Sequence, residues 1–203
     1  MTKIKLCGLS KLCDIEIVNK LKPDYIGFVF AKKSRRYVSP KTAFSLKKQL
    51  HPAIKTVGVF VREQPEIISG LMQEGIIDIA QLHGGESESD IRLLRTLTDK
   101  PIIQAFRIDT AQDIEAANRS SADYILLDSG TGGTGTLFDW NLLKGINRPY
   151  FLAGGLTPEN VGSAAALLNP YAVDVSSGIE TDGCKDNNKM AAFVSAVRNV
   201  QNE

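Results

Sequence analysis

The sequence has 203 residues, of which 43% are hydrophobic and 23% are charged. These fractions are close to the averages of globular domains, and they exclude the disordered and fibrous classes. The 24 basic and 23 acidic residues are interspersed, without the basic stripe that indicates a nucleic-acid surface. We therefore expect a folded protein that binds no nucleic acid, in which any anion site is local.

The first five residues, Met-Thr-Lys-Ile-Lys, lead directly into a strand-like segment. They lack the apolar stretch of a signal peptide or a membrane span, so we expect a cytoplasmic protein with no membrane contact. The three cysteines, Cys7, Cys13 and Cys184, have neither zinc-finger nor CxxC spacing. They predict free thiols and no metal site.

Strand-like and helix-like segments alternate along the chain. Ser39 followed by Pro40, for example, predicts a helix start with serine as the N-cap. The predicted strand–helix pairs, in chain order, are Lys3–Cys7 with Ser10–Lys20, Tyr25–Phe30 with Pro40–Leu50, Lys55–Val61 with Pro65–Glu74, Ile77–Leu82 with Ser87–Leu97, Pro101–Ile108 with Ala111–Asn118, Tyr124–Leu127 with Trp140–Gly145, Tyr150–Ala153 with Pro158–Leu168, and Ala172–Ser176 with Asn187–Asn199.

Several predicted strands, such as YIGFVF and TVGVF, are apolar throughout and do not alternate. This pattern is typical of strands that are buried on both faces of a parallel sheet. Eight strand–helix units without a linker predict an α/β fold, a single (β/α)8 TIM barrel in which residues 1–203 form one catalytic domain. The alternative is a flavodoxin-like open sheet, which does not account for strand–helix pairs that continue to the C-terminus.

In a (β/α)8 barrel the active site lies at the C-terminal ends of the strands. The candidate residues at or just after these ends are Cys7, Arg35, Arg36, His83 and Asp128. A cysteine in a strand is usually a small core residue, but the position of Cys7 at a strand end, before Gly8, favours a functional role. Cys13 and Cys184 lack that position, and we expect them to be core residues.

The turns after the seventh and eighth strands are rich in glycine and serine. Gly154 and Gly155 precede a predicted helix start, and Ser176 and Ser177 follow the eighth strand. Glycines let the backbone approach a ligand, and helix N-termini offer unpaired N–H groups to anions. Because barrels often bind phosphate at their last two loops, these turns predict a phosphorylated ligand. A plain tight turn is the alternative.

Two aspartates lie at or inside predicted strands. Asp128 directly follows an apolar run, where a carboxyl is a candidate general acid, although an N-cap or turn aspartate is the alternative. Asp174 lies within the eighth strand, where a charge needs a partner. It is expected to take part in a polar network instead of reacting.

Two loops have unusual compositions. The loop at 130–136 is rich in glycine but lacks the lysine of a P-loop, and we expect Gly132, Gly133 and Gly135 to belong to a mobile cover. The second loop is basic, and such a run is ordinarily a solvated surface, although the planar fork of an arginine suits a carboxylate. Its basic residues are Lys32, Lys33, Arg35 and Arg36.

Six short motifs lie at the predicted strand ends. They are Lys5-Leu6-Cys7-Gly8, Gln81-Leu82-His83-Gly84, Leu127-Asp128-Ser129, Gly132-Gly133-Thr134-Gly135 with Phe138-Asp139-Trp140, Ala153-Gly154-Gly155-Leu156 with Asn160-Val161, and Asp174-Val175-Ser176-Ser177-Gly178-Ile179-Glu180. In this order and spacing they closely resemble the phosphoribosylanthranilate isomerase family of tryptophan biosynthesis, along nearly the whole chain.

The resemblance implies an Amadori rearrangement of N-(5-phosphoribosyl)anthranilate, without metal or organic cofactor. It implies Asp128 as the general acid that opens the sugar ring and Cys7 as the base that removes the adjacent carbon-bound proton. A free cysteine has a pKa of ~8.5, so its thiolate needs local positive charge near pH 7. Arg36 matches the arginine that binds the anthranilate carboxylate, and we expect His83 and Asp174 to contact the substrate. The residues that match the phosphate turns are Gly154, Gly155, Ser176 and Ser177.

The chain departs from the family pattern in two loops. Arg35 stands where the family commonly has proline, which leaves open whether Arg35 or Arg36 faces the substrate. The segment 182–186 reads Asp-Gly-Cys-Lys-Asp where the family commonly has Pro-Gly-Lys-Lys-Asp.

Other functions remain as alternatives. A Schiff-base aldolase needs a lysine at a strand end, and a metal-dependent epimerase needs a His and carboxylate cluster, whereas the chain has only His51 and His83. A barrel that merely binds a phosphoribosyl ligand would not need both Cys7 and Asp128. The sequence leaves open whether the protein is a monomer or a homodimer, and whether it accepts a related aminoaldose of histidine synthesis.

Overall fold

The structure, a computed structural model, describes residues 1–128, 140 and 142–200. Eight parallel strands close into a barrel in chain order, and the first strand pairs with both the second and the eighth. This confirms the predicted (β/α)8 barrel, and the open-sheet alternative is wrong. The strands are β1 (Lys3–Cys7), β2 (Tyr25–Val29), β3 (Lys55–Phe60), β4 (Ile79–Leu82), β5 (Ile102–Arg107), β6 (Tyr124–Asp128), β7 (Tyr150–Ala153) and β8 (Ala172–Val175).

Helices connect the strands and cover the outside of the barrel. The helix start predicted at Ser39 and Pro40 is confirmed, because the side chain of Ser39 accepts a hydrogen bond from the backbone N–H of Thr42. The helices are α1 (Leu12–Leu21), α2 (Pro40–Lys47), α3 (Pro65–Gln73), α4 (Glu88–Arg95), α5 (Ala111–Arg119), α6 (Val161–Leu168) and α7 (Asn187–Asn199). Among the helices of the described residues, none is both long and apolar enough to span a membrane.

Several predicted helices have other bounds in the structure, and two of the differences have an identifiable cause. Trp140–Gly145 was expected to be helical, but the described part of this segment has a single 3₁₀ turn at Leu142–Gly145, which ends at a glycine shortly before Pro149. Helix α6 begins at Val161 and not at Pro158. The reason is Asn160, whose side chain accepts from Thr157 N and donates to Gly155 O, so the preceding residues form a turn.

A small hairpin follows β8 that was not predicted. A 3₁₀ turn (Ser177–Ile179) leads into the antiparallel strands β9 (Glu180–Thr181) and β10 (Cys184–Lys185). Asp182 and Gly183, which connect them, have φ angles of 51° and 77°. Asp-Gly is a strong signal for such a two-residue turn, so the sequence does contain the evidence for this hairpin.

The interior of the barrel is layered along β1. Because side chains alternate along a strand, Lys3, Lys5 and Cys7 share the inner face of β1 at successive heights. Lys3 lies with the aromatic rings at the N-terminal end, where Phe151 is fully buried. Lys5 is fully buried in the middle, and Cys7 lies at the C-terminal end beside Val29 and Val59. The barrel interior is therefore filled by side chains below Cys7, at the C-terminal end of β1.

Candidate active site

A cavity of about 360 Å³ lies at the C-terminal ends of the strands. The cavity lies where the active site was expected, and nine of the site residues predicted from the sequence line it. They are Cys7, Arg36, His83, Asp128, Gly154, Gly155, Asp174, Ser176 and Ser177. Arg35 is not among the lining residues. The predicted cover residues Gly132, Gly133 and Gly135 lie outside the described residues.

Cys7 forms part of the cavity floor and is 6% exposed. Gly27 on the neighbouring strand β2 provides the space for its thiol, because a Cβ atom at Gly27 would lie 2.5 Å from Sγ of Cys7. Burial raises the pKa of the Cys7 thiol, and the positive charges of Lys5 and Lys185 act against that increase. The environment therefore combines a dry floor with two nearby cations.

A buried ion pair lies directly below Cys7. Nζ of Lys5 donates to Oδ1 of Asp174 at 2.8 Å, and this contact joins the two strands that close the barrel. Burial disfavours the charged ammonium, but Asp174 and the adjacent Cys7 outweigh it, so the pKa of Lys5 lies above its ordinary value. The expected partner of Asp174 is thus Lys5. We did not predict Lys5, although a lysine two residues before Cys7 in an apolar strand must face the same way.

Asp128 and His83 form a second polar group on the cavity wall. Asp128 ends β6, one third of its side chain is exposed, and its Oδ2 lies 3.7 Å from Nε2 of His83. The other ring nitrogen of His83 lies 2.9 Å from Nε2 of Gln81. With the Gln81 amide in this orientation its NH₂ group donates to Nδ1 of His83, and Nε2 of the ring faces Asp128.

Gln81 is a site residue that sequence reasoning missed. It lines the cavity and is 1% exposed, and its Oε1 atom has no hydrogen-bond partner among the described residues. A buried acceptor without a partner is costly unless a ligand or water satisfies it. The signal in the sequence is a polar residue in β4 at alternate spacing to His83.

Arg36 lies at another side of the cavity, held by a carboxylate. Its Nε and Nη2 atoms donate to the two carboxylate oxygens of Glu180 at 2.6 and 2.8 Å. The stem of Arg36 passes over Gly8, where a Cβ atom would lie 2.5 Å from Cδ of Arg36. Arg35 also contacts Glu180, at 2.6 Å, but its side chain is 60% exposed. The structure therefore places Arg36, and not Arg35, against the cavity.

Glu180 and Lys185 connect Arg36 to the turn after β8. Lys185 Nζ donates to Glu180 Oε1 at 2.7 Å and to the carbonyl oxygen of Ser176 at 2.8 Å. Burial would raise the pKa of Glu180, but Arg36 and Lys185 lower it to about 2. Glu180 is therefore ionised near neutral pH. Lys185 matches the lysine of the family pattern within segment 182–186, but no role was predicted for it.

The two glycine-rich turns pack against each other at the cavity. Gly154 and Gly155 have φ angles of 85° and 64°, which side chains rarely adopt. Gly178, in the turn after β8, approaches the other turn so closely that a Cβ atom would lie 1.9 Å from the carbonyl oxygen of Leu156. This contact fixes the two candidate phosphate turns relative to one another.

The other two cysteines lie outside the cavity. The expectation that Cys13 and Cys184 are core residues is wrong, because both are exposed. Cys13 is on the outer surface of α1, and Cys184 is in the β9–β10 hairpin, with its Sγ 3.2 Å from Nζ of Lys11. Among the described residues no group of three or more His, Cys, Asp or Glu is placed to hold a metal ion.

Comparison with known proteins gives a consistent result. The model of the N-(5'-phosphoribosyl)anthranilate (PRA) isomerase family matches residues 4–196. A relative in Endomicrobium trichonymphae, named N-(5'-phosphoribosyl)anthranilate isomerase, is 43% identical over 204 residues, which cover 98% of this chain and 100% of the relative.

Solved structures are similar over the same extent. The phosphoribosyl anthranilate isomerase of Thermotoga maritima aligns with a TM-score of 0.88 at 36% identity, and the alignment covers 98% of this chain and 100% of that one. Another phosphoribosyl anthranilate isomerase, solved in complex with reduced 1-(o-carboxyphenylamino)-1-deoxyribulose 5-phosphate, aligns with a TM-score of 0.86, at 36% identity and with the same coverage.

Proposed function

The chain belongs to the N-(5'-phosphoribosyl)anthranilate isomerase family, and from this membership we propose that it catalyses the Amadori rearrangement of N-(5-phosphoribosyl)anthranilate in tryptophan biosynthesis. The substrate is N-(5-phosphoribosyl)anthranilate, and the product is 1-(2-carboxyphenylamino)-1-deoxyribulose 5-phosphate. We propose one catalytic domain, residues 1–203. The observation that carries the proposal is that Cys7 and Asp128 line one cavity together with Arg36 and the two glycine-rich turns.

The cavity has a suitable surface for each part of this substrate. The phosphate would bind at the turns formed by Gly154, Gly155, Ser176 and Ser177. The anthranilate ring would pack on the apolar wall beside Cys7, which includes Val29 and Val59. The ring carboxylate would then bind the edge of the Arg36 guanidinium that includes Nη1. This atom makes no hydrogen bond with the described residues. With the phosphate, ring and carboxylate bound in this way, the sugar would lie between the remaining polar groups, His83, Gln81 and Asp174.

The first chemical step is ring opening. Asp128 would donate a proton to the furanose ring oxygen, the bond between that oxygen and C1 would break, and the nitrogen lone pair would form an iminium at C1. His83 would hold the Asp128 carboxyl from the side, since its Nε2 lies 3.7 Å from Oδ2. The sugar is then an open chain with its C2 proton acidified by the adjacent iminium.

The second step is removal of that C2 proton. Cys7, as a thiolate, would take the proton, and the electrons of the C2–H bond would form a C1–C2 double bond while neutralising the iminium. The resulting enolamine would lose its hydroxyl proton and gain a proton at C1, which gives the ketone. Cys7 would release the proton that it took, and Asp128 would take up a proton from solvent, so both groups would return to their starting states. The change is internal to the substrate, so the net reaction consumes no other reactant.

Two substitutions test the assigned roles. Cys7→Ala removes the base, and Asp128→Asn keeps the shape of the acid but cannot supply its proton. We expect each to lower kcat by on the order of 10²- to 10⁴-fold. Binding of the reduced product analogue, measured by calorimetry, should change little, because neither group is assigned to hold phosphate or carboxylate.

Cys13→Ala is the matched control, because Cys13 is an exposed thiol outside the cavity. It should keep wild-type turnover. Near wild-type kcat in Cys7→Ala or Asp128→Asn would remove that residue from the mechanism. Loss of analogue binding in step with kcat would instead indicate damage to the cavity.

A further inference from the structure

The buried ion pair of Lys5 and Asp174 takes part in neither of the two proton-transfer steps above, yet it lies directly under Cys7. Lys5 is fully buried and Asp174 is 9% exposed. A buried ion pair of this kind often stabilises a fold less than apolar residues of similar volume would, because both charges must leave water. Its presence beside a proposed base therefore calls for a functional explanation.

We propose that Lys5 is a positioning residue that holds a permanent positive charge beside Cys7, and so makes its thiolate available to remove the substrate proton. Asp174 keeps Lys5 charged and directs its ammonium group. This inference rests on the proposed function, since it concerns the base of that reaction.

The geometry supports this arrangement in three ways. Lys5 and Cys7 share the inner face of β1, so the ammonium is next to the thiol without any loop that could move it away. Both side chains are buried in the barrel interior, where water screens the charge of the ammonium from the thiol much less than at the surface. The 2.8 Å contact with Asp174, across the β1–β8 seam, uses one of the three N–H donors of Lys5 and leaves two.

Other charges face Cys7 and must be considered. Lys185 on β10 and the guanidinium of Arg36 also act on it, and Asp174 acts in the opposite direction. Lys185 and Arg36 share the single buried carboxylate of Glu180, at 2.7 and 2.6 Å, which compensates only part of their charge. Among these cations Lys5 acts most strongly on Cys7, and its influence exceeds that of Asp174.

The direct test measures ionisation of the Cys7 thiol without turnover. In a Cys13→Ser/Cys184→Ser background Cys7 is the remaining cysteine, and its alkylation by iodoacetamide can be followed by mass spectrometry as a function of pH. Lys5→Met should move the midpoint of alkylation upward by about 1 to 3 pH units, because an opposite charge at this range shifts ionisation by that amount. The low-pH limb of kcat/KM should move in the same direction.

Lys5→Met leaves Asp174 buried without its partner, and this variant could lose its fold. The double variant Lys5→Met/Asp174→Asn removes both charges and keeps the volumes, and circular dichroism confirms whether each variant is folded. The double variant should also shift the midpoint upward, by less than Lys5→Met. Lys3→Met is the matched control, since Lys3 lies on the same face of β1 at the far end of the barrel, and it should leave the midpoint unchanged.

An unchanged alkylation midpoint in a folded Lys5→Met or double variant would overturn the inference, and the pair would be structural. A shifted midpoint with an unmoved kcat/KM limb would also overturn it, because thiol ionisation would then be irrelevant to turnover. If the wild-type chain does not isomerise the substrate, the proposed function fails. The alkylation profile would still decide whether Lys5 controls the thiol.

Discussion

The guanidinium of Arg36 has two edges that can each bind a carboxylate, and Glu180 occupies one of them through Nε and Nη2. The edge formed by Nη1 and the second N–H of Nη2 remains for a ligand in the cavity. A protein carboxylate on one edge fixes the plane of the group, so a substrate carboxylate meets an already oriented fork. Arg36 can thus be both a half-buried ion-pair partner and a substrate-binding residue.

This arrangement predicts different effects for the two neighbouring arginines. Arg36→Met keeps much of the stem but removes the fork, and loss of a charge-assisted hydrogen bond costs ~1.5–3 kcal/mol, roughly ten- to a hundredfold in kcat/KM. The loss should appear mainly in KM, because the carboxylate takes no part in proton transfer. Steady-state kinetics over a range of substrate concentrations would measure it.

Arg35→Met is the control for Arg36→Met. The Arg35 side chain is 60% exposed and does not line the cavity, so KM should stay close to wild type. A large KM effect in Arg35→Met with none in Arg36→Met would mean that the carboxylate site is shifted by one residue. No effect in either would make this cluster a solvated surface.

Single residues were predictable from the sequence where a strand end marked them. Cys7, His83 and Asp128 each follow directly from that rule, and all three line the cavity. Residues that act through a partner were not predictable. The sequence marked Lys5 only as part of a motif and not as a site residue, because its partner Asp174 is 169 residues away in the chain. Glu180 likewise has no recognisable role until Arg36 is brought to it.

At the scale of elements, the two phosphate turns act as one unit because their backbones touch. Gly178→Ala would place a methyl group 1.9 Å from the carbonyl oxygen of Leu156, so one turn must move. Overpacking of this kind costs ~1–3 kcal/mol, and we expect kcat/KM to fall roughly five- to a hundredfold, with weaker competitive inhibition by inorganic phosphate.

Gly162→Ala is the matched control for this prediction. A methyl group at Gly162, in α6, would be 3.6 Å from its nearest neighbours, which is ordinary contact. Both variants should keep wild-type circular dichroism, but only Gly178→Ala should lose phosphate inhibition. Equal phosphate inhibition in Gly178→Ala and wild type would show that these turns do not bind phosphate.

The presence of the strands and helices was easier to predict than the residues at which they begin and end. The eight strands were found because each is a short apolar run, and seven of the eight expected helices are present. The start of α6 was predicted three residues early, since Asn160 uses its side chain to hold a turn before the helix. The hairpin β9–β10 was missed although Asp182-Gly183 marks its turn, because two-residue strands have no periodicity of their own.

For the whole molecule, closure of the barrel determines which residues meet. The β1–β8 register pairs Lys5 with Asp174 at the seam, and the same closure brings the first strand, with Cys7, to the turns after the last two strands. The repeat of strand–helix units predicts such a barrel, but a repeat does not give the register. The site was therefore predictable as a set of strand ends and not as a network of contacts.

Isomerisation of N-(5-phosphoribosyl)anthranilate by this chain can be measured by a turnover assay. The most direct measurement adds catalytic amounts of the purified protein to chemically prepared substrate and follows the anthranilate fluorescence, with the Cys7→Ala/Asp128→Asn double variant as the blank. We predict a loss of fluorescence over many turnovers with the wild type and none above background with the double variant. Wild-type protein that leaves the fluorescence unchanged, or a double variant that is equally active, would contradict the account.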